Sequence, residues 1–495
     1  MSSDLLSLLL SFQPDAPELQ QKRDYDHAAR QFVIQLYNVQ QHYFLKGADT
    51  PQDVLSILNP AVNTIAYAIS LRLRISAALD KQKSIPDQLQ PGGALWNRLL
   101  QFLETFDPVQ VRYVGSDWRR LVDFFEQIAR QVGTPGDAIA TMRSTMLRLD
   151  PTTGTFTSTH LYFIRLCMEE RAYAEALPIL DNYIHSQPSR TPAQFRENLE
   201  YSVPCADTAN SAEYIHIHSG FSERMAIADV QEYYVLGAMA YIGVRQFKKA
   251  MLFLEHVLVV PSSNVASGLM LEAYKKWVLV SCLVRGASRV TTAPRTVNGT
   301  AFKQVKAASK AYDALADAFA PLNNLPKLRA QINAGKDLWK EDGNTGLVHE
   351  LLDHHHRFYI SRLSQTFSAI PVSKIASNVG GSNKEVTAYL ESLITEGHLN
   401  ARIERTDKVI LRFFLDPTHG PLAKTEKQQQ QALFEQTERT NMLAEQVKNA
   451  DYRLSLTKEY IEHLKRLNKK TAGGGGSDAM DVSWDEVDAE EDIMA

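Results

Sequence analysis

Between residues 353 and 414 the apolar positions change period once, and that change predicts a fold. Phe358, Leu363 and Phe367 recur at helical spacing and predict a helix over 357–367. Pro371 restarts the chain, and residues 372–379 form a short second helix bounded by Gly380 and Gly381. A third helix opens on Ser382 with Glu385 three residues on, the spacing of a capping box. Its buried stripe is Val386, Tyr389, Leu390, Leu393 and Ile394, and Gly397 stops it. The period then becomes two. Leu399, Ala401 and Ile403 alternate with polar residues, Arg405-Thr406-Asp407 turns the chain, and Val409, Leu411 and Phe413 alternate again. Three helices followed by a hairpin make a winged helix, assigned to residues 346–416.

Upstream the pattern is helical throughout, with no strand expected before residue 398. Residues 60–80, 95–106 and 117–132 have helical periodicity, and a longer helix begins at Asp24 with Phe32, Ile34, Leu36, Val39 and Tyr43. Thr50-Pro51, Thr134-Pro135 and Thr191-Pro192 each place an N-cap residue before a first-turn proline. One heptad repeats. Arg171-Ala172-Tyr173-Ala174-Glu175-Ala176-Leu177 and Arg245-Gln246-Phe247-Lys248-Lys249-Ala250-Met251 share Arg, aromatic, Ala and aliphatic positions. Each copy sits between two helices, as in tetratricopeptide-like hairpins, where a small Ala lets helices approach beside a filling ring. Residues 1–157 are assigned to N-terminal helical repeats and 158–345 to such hairpins, with irregular breaks at 201–225 and 286–300. Helices resume at 301–320 and 325–341.

Downstream, residues 425–469 predict one long helix. Leu443, Val447, Ala450, Leu454, Thr457, Ile461 and Leu464 follow spacings of four and three, a coiled-coil seam. A helix so polar outside one stripe needs a partner helix, so Leu443, Val447, Leu454, Ile461 and Leu464 are candidate partner-binding residues. Gly473 to Gly476 then leads into a tail, 471–495, expected to be disordered. The fold class is therefore mostly α: a helical-repeat solenoid, a winged helix and a long C-terminal helix.

Charge decides what the winged helix is for. A DNA reader would carry basic side chains on its third helix, but here Lys384 stands against Glu385, Glu391 and Glu396. That face repels phosphate. The remaining use is an edge strand offered to another chain's sheet. Ile403, Val409, Ile410, Leu411 and Phe413 are the candidate edge residues. Val409, Leu411 and Phe413 share one face expected to pack on Leu390 and Ile394, Ile410 and Arg412 face the other way, and Ile410→Pro is the natural edge-blocking change. Over the whole chain of 495 residues the net charge is −4. The tail alone holds eight acidic residues, including Asp478, Asp481 and Asp492, so the rest carries +4. No strong field recruits nucleic acid or membrane. Leu5, Leu6, Leu8, Leu9 and Leu10 imitate a signal-peptide core, but no Lys or Arg precedes them and Pro14-Asp15-Ala16-Pro17 is a poor cleavage region. A short amphipathic helix is expected there instead. Three scattered cysteines, Cys167, Cys205 and Cys282, make no disulfide framework and suit a reducing compartment.

Helical repeats running into a winged helix resemble the PCI domain, shared by scaffold subunits of the proteasome lid, the COP-nine signalosome and translation initiation factor three. Within that set, residues 271–281 (Leu-Glu-Ala-Tyr-Lys-Lys-Trp-Val-Leu-Val-Ser), 342–348 (Asp-Gly-Asn-Thr-Gly-Leu-Val) and 360–379 resemble the signalosome's third-subunit family. The resemblance covers roughly residues 160–467. It implies a non-catalytic scaffold of a complex that removes the ubiquitin-like modifier Nedd8 from cullins, with other PCI and MPN subunits as partners. It also implies a cytoplasmic and nuclear location, and neither cofactor nor metal. A lid or initiation-factor subunit is the alternative with the same architecture. A zinc isopeptidase of the MPN type is the distant one. Its motif is met by His216, His218 and Asp229, but Ala226 stands at the Ser position that would help hold an oxyanion. His354, His355 and His356 point about 100° apart on a helix and cannot converge on one ion. No phosphate-binding glycine loop or nucleophile elbow is present, and Asp342-Gly343-Asn344 lacks the rest of a calcium loop.

Overall fold

In the computed structural model the described residues are 2–19, 21–45, 53–81, 84–188, 205–206, 211–260, 264–286, 299–321, 324–405, 408–414, 419–423, 425–455, 460, 462–463 and 466. The chain divides into two units, Met1–Arg190 with Val203–Glu426, and Thr191–Ser202 with Lys427–Ala495.

The first unit is helical from its start. Ser2–Leu9 is the expected amphipathic helix, burying Leu5 and Leu9. Lys22–Asn38 follows, but Ile34 is 52% exposed and Val39 already lies outside the helix, so the core stripe is Tyr25, Ala29, Phe32, Val33 and Leu36. Thr64–Lys81, Ala94–Thr105 and Gly115–Val132 occupy the three predicted segments, and Pro135 opens Pro135–Leu149 after Thr134. The starts expected at Thr50-Pro51 and Thr191-Pro192 lie outside the described residues. One apolar core runs from Leu5 to Leu351 without a break at residue 157. The irregular stretch after residue 204 is sewn to the N-terminal helices. Trp118 meets Phe221 at 5.5 Å, Arg112 donates to the Cys205 carbonyl, and the Tyr214 hydroxyl donates to the Leu149 carbonyl.

The repeated heptad is a repeated turn. Ser158–Glu169 joins Tyr173–Leu180, and Ile227–Gly243 joins Phe247–Val259. In the first, the Ala172 N–H reaches back to the Cys167 carbonyl at 2.8 Å; in the second, the Gln246 N–H reaches the Tyr241 carbonyl at 2.8 Å. Both are Schellman closures, and both place their arginine in the left-handed region, Arg171 at φ 55° and Arg245 at φ 63°. The same closure recurs with glycine at Gly343 and Gly397. Ala176 and Ala250 are fully buried, and a Cβ on Gly243 would lie 2.5 Å from the Tyr173 ring of the other copy. Arg171 is exposed, so its left-handed turn is compensated by no contact of its own among the described residues. Arg171→Gly is therefore expected to raise stability by about 0.5–1 kcal/mol, since the left-handed cost exceeds glycine's extra chain entropy. A denaturant melt showing a loss of stability would contradict that reading of the turn.

The segments 271–281 and 342–348 pack on one another. Lys275 Nζ lies 2.6 Å from Asp342, the Tyr312 hydroxyl donates to the other Asp342 oxygen at 2.7 Å, and buried Asn344 donates to Tyr312 at 2.8 Å. Asp342 is held below the usual carboxylate range by its bonds to Lys275 and Tyr312, which outweigh burial. These oxygens are thus engaged in tying helix Gly268–Arg285 to the start of helix Thr345–Leu363.

That last helix belongs to two cores. Leu347, Val348 and Leu351 end the repeat core, and Ile360 begins a second core with Ile370, Ile375, Leu390, Leu411 and Phe413. The winged helix is continuous with the repeats rather than hung from a linker. Its first helix ends at Leu363, so Phe367, 44% exposed, is not on the expected stripe. Val372–Val379 and Asn383–Thr395 match prediction, with Ser382 and Glu385 completing the capping box through bonds of 3.3 and 2.9 Å. The helical stretches expected over 301–320 and 325–341 are each built of two helices, parted at Ser309 and Gly335. No described helix is long and apolar enough to cross a membrane.

Candidate assembly surfaces

The hairpin lies close to its predicted place, as β2 (Ala401–Arg405) and β3 (Val409–Phe413), but a strand the sequence did not signal precedes it. β1 is Ala369–Pro371, and the sheet order is β1-β3-β2. Three residues are too few to show a period, so the pattern read as a bare loop. The consequence is a correction. β3 is central, and Leu411 and Phe413 are core residues, 0% and 5% exposed. Val409 is half-buried against the same core. They form no edge.

The open edge can be located from the ladder. Phe414 N–H bonds to the Asn400 carbonyl, so by alternation Arg402 with Arg412 and Glu404 with Ile410 are the hydrogen-bonded pairs between β2 and β3. Phe413 N–H, in contrast, bonds to Ser368 on the β1 side. Ile410 therefore spends its N–H on β2, and Ile410→Pro would break the sheet's centre rather than block its edge. The outward groups of β2 belong to Ala401, Ile403 and Arg405, the Ala401 N–H being already taken by the Leu399 carbonyl at 3.1 Å. The far side of β1 is blunted by Pro371, which has no N–H and leads straight into a helix. Of the predicted edge residues only Ile403 faces an open ladder. On the sheet surface Arg412 donates to Glu404 at 2.8 Å, which holds that carboxyl below its usual range, and Arg405 pairs with Glu391 of the third helix.

The second unit is described by its helix, Glu426–Ser455. Leu443, Val447 and Leu454 are 57%, 65% and 49% exposed. Leu433, 63% exposed, falls in phase with them at spacings of three and four. The turn residues Thr406 and Asp407, the seam residues Ile461 and Leu464, and the acidic tail lie outside the described residues.

The arrangement at His216, His218 and Asp229 has another use. Asp229 accepts from the Ala226 N–H at 2.7 Å and caps helix Ile227–Gly243. The His216 and His218 rings are 6.3 Å apart, and the His216 ring nitrogen lies 3.2 Å from the His218 backbone N–H. Among the described residues no three potential ligands converge on a point that could hold a metal ion. His354, His355 and His356 contact Phe247, Phe319 and Tyr389 respectively, on three different elements, and burial lowers the pKa of each.

Comparison with known proteins agrees with this architecture. Residues 28–202 and 212–299 match the family described as COP9 signalosome complex subunit 3, N-terminal helical repeats, and residues 329–412 match the PCI domain. The second match spans the end of the repeats and the winged helix. A COP9 signalosome complex subunit 3 of Emericella nidulans is 30% identical over 95% of this chain and 94% of its own length. One of Neurospora crassa is 25% identical over 99% and 98%. With repeats and winged helix in the same order as the matched segments, and a relative 30% identical over 95% of its length, the chain belongs to the COP9 signalosome subunit 3 family.

Proposed function

We propose that this chain is a non-catalytic scaffold subunit of the COP9 signalosome, working in the removal of Nedd8 from cullins. Other PCI and MPN subunits are its partners, and it acts in the cytoplasm and nucleus. The observation that carries the reading is the exposed apolar stripe of Leu433, Leu443, Val447 and Leu454, with Phe434 and Met442 exposed beside it, on a helix otherwise mostly polar, a surface suited to a partner helix. The experiment that tests it is co-elution of partner subunits with and without that helix. Three free cysteines support a reducing compartment, and fractionation into an oxidising lumen would contradict the location.

The β2 edge is the second contact surface. Ile403→Pro removes an outward donor and adds bulk while sparing the pairs that hold β2 to β3. It is expected to reduce co-elution of partner subunits and to leave the melt of the isolated chain unchanged. Main-chain bonds net about 0.5–1.5 kcal/mol each, so losing the one donor is expected to weaken association about two- to thirteenfold. A mutant that melts like the parent and co-elutes as well would exclude edge pairing.

The absence of catalysis is argued from Asp229, which is engaged as a helix cap, and from Ala226. Changing His216 and His218 together to Ala is expected to leave the deneddylation rate of the assembled complex as it was. A lost rate in a fully assembled complex would reveal a site.

A further inference from the structure

A cleft of about 870 Å³ opens where the second repeated turn meets the winged helix. One wall is the turn at Arg245 to Lys249, the other is the third helix with the Gly397-His398 corner, and Leu283, Val284 and Phe358 line the floor. The volume suits a few residues of peptide. Near the floor sits Arg357, half-buried, with no carboxylate within ion-pairing distance among the described residues. Its guanidinium instead faces two imidazoles, His354 Nδ1 at 2.8 Å and His398 Nε2 at 3.4 Å.

His354 is a fixed acceptor there. It bonds to the Leu283 backbone, and burial, with Arg357 beside it, pushes its pKa down to about 4. The His354 ring therefore orients the guanidinium without neutralising it, and burial lowers the arginine's own pKa. A half-buried cation of this kind gains from a carboxylate that meets its planar fork. The other charges limit what can enter. Arg245 pairs with Glu350, and Lys249 lies 2.7 Å from Asp181. Exposed Lys248, Asp353 and Glu396 also line the cleft, so its rim carries both signs of charge. The interior is cationic and the rim is mixed, so a polyacidic strand fits poorly. Phe247 and Phe358 add apolar lining, and the Phe358 ring centre lies 5.8 Å from the Arg357 guanidinium carbon.

We propose that this cleft receives a segment of another subunit that carries one carboxylate next to a large apolar side chain. The carboxylate meets Arg357 and the apolar group packs on the Phe247 and Phe358 lining. This rests on the assembly reading, so the complex is first assembled and its composition weighed by native mass spectrometry. Failure to assemble would overturn both; an assembled complex without the contact overturns only this one. The probe is photo-reactive benzoylphenylalanine in place of Lys248, an exposed side chain with no ion pair among the described residues. Irradiation is expected to link it to a partner segment with an acidic residue within two positions of a large apolar one. Arg357→Gln is expected to cut the adduct at least tenfold. Changing the partner's acid to its amide should do the same, and that change cannot disturb the folding of this chain. Absence of an adduct, an adduct on this chain's own residues, one on a segment without an acid, or a yield indifferent to the partner's amide would each overturn the proposal.

Discussion

Cutting the chain after Pro421 is expected to leave the unfolding transition of the repeats and winged helix in place and to cost at least tenfold in incorporation into the complex. Both cores end at or before Phe413, so the cut removes no buried core residue of the first unit. It removes a helix whose Leu433, Leu443, Val447 and Leu454 are about half to two-thirds exposed. Fully burying a side chain of this size is worth about 1.5–3 kcal/mol. Even half of that over four residues exceeds the ~1.4 kcal/mol of a tenfold change, after allowance for ordering the interface. Gel filtration of the reconstituted mixture measures it. A truncated chain that incorporates as well as the full one would show that the stripe serves no partner.

Asp53→Asn is expected to destabilise the N-terminal helices by about 3–5 kcal/mol, the cost of leaving a buried cation without its counter-ion. Asp53 is 1% exposed and caps helix Val54–Ile57. One oxygen accepts from Arg74 at 2.6 Å and the other from Arg98, while Arg74 also donates to the Phe44 carbonyl. Arg74 is 6% exposed, so water cannot replace the lost carboxylate, and an amide would turn hydrogen-bond donors toward a guanidinium. Arg98, with a side chain 25% exposed, is expected to matter less. A urea melt in which Asp53→Asn costs under about 1 kcal/mol would mean that the helices at this end relax around the change.

Much of this fold is written in local chemistry. The third helix of the winged helix was legible to the residue because Ser382, Glu385 and Gly397 mark its ends. The repeated turn was legible as a pattern, but not as a left-handed closure, because arginine stands where glycine would have announced it. The edge was misassigned for a different reason. Strand order is a tertiary property, and β1 adds only three residues, so nothing local distinguished a central β3 from a marginal one. Val409, Leu411 and Phe413 share one core with Leu390 and Ile394, as their common face implies, and that same burial keeps them from being edge residues. Ile403 was chosen with them and does face the open side. The cleft at Arg357 was invisible because its walls come from four stretches between residues 245 and 398.

The central claim is that this chain is a structural member of the signalosome. Affinity purification of the full chain under native conditions, followed by mass spectrometry of what co-purifies, tests it most directly. The account predicts the remaining signalosome subunits, MPN-type isopeptidase included, in near-equal amounts. Recovery of proteasome-lid or initiation-factor-three subunits in their place would contradict it.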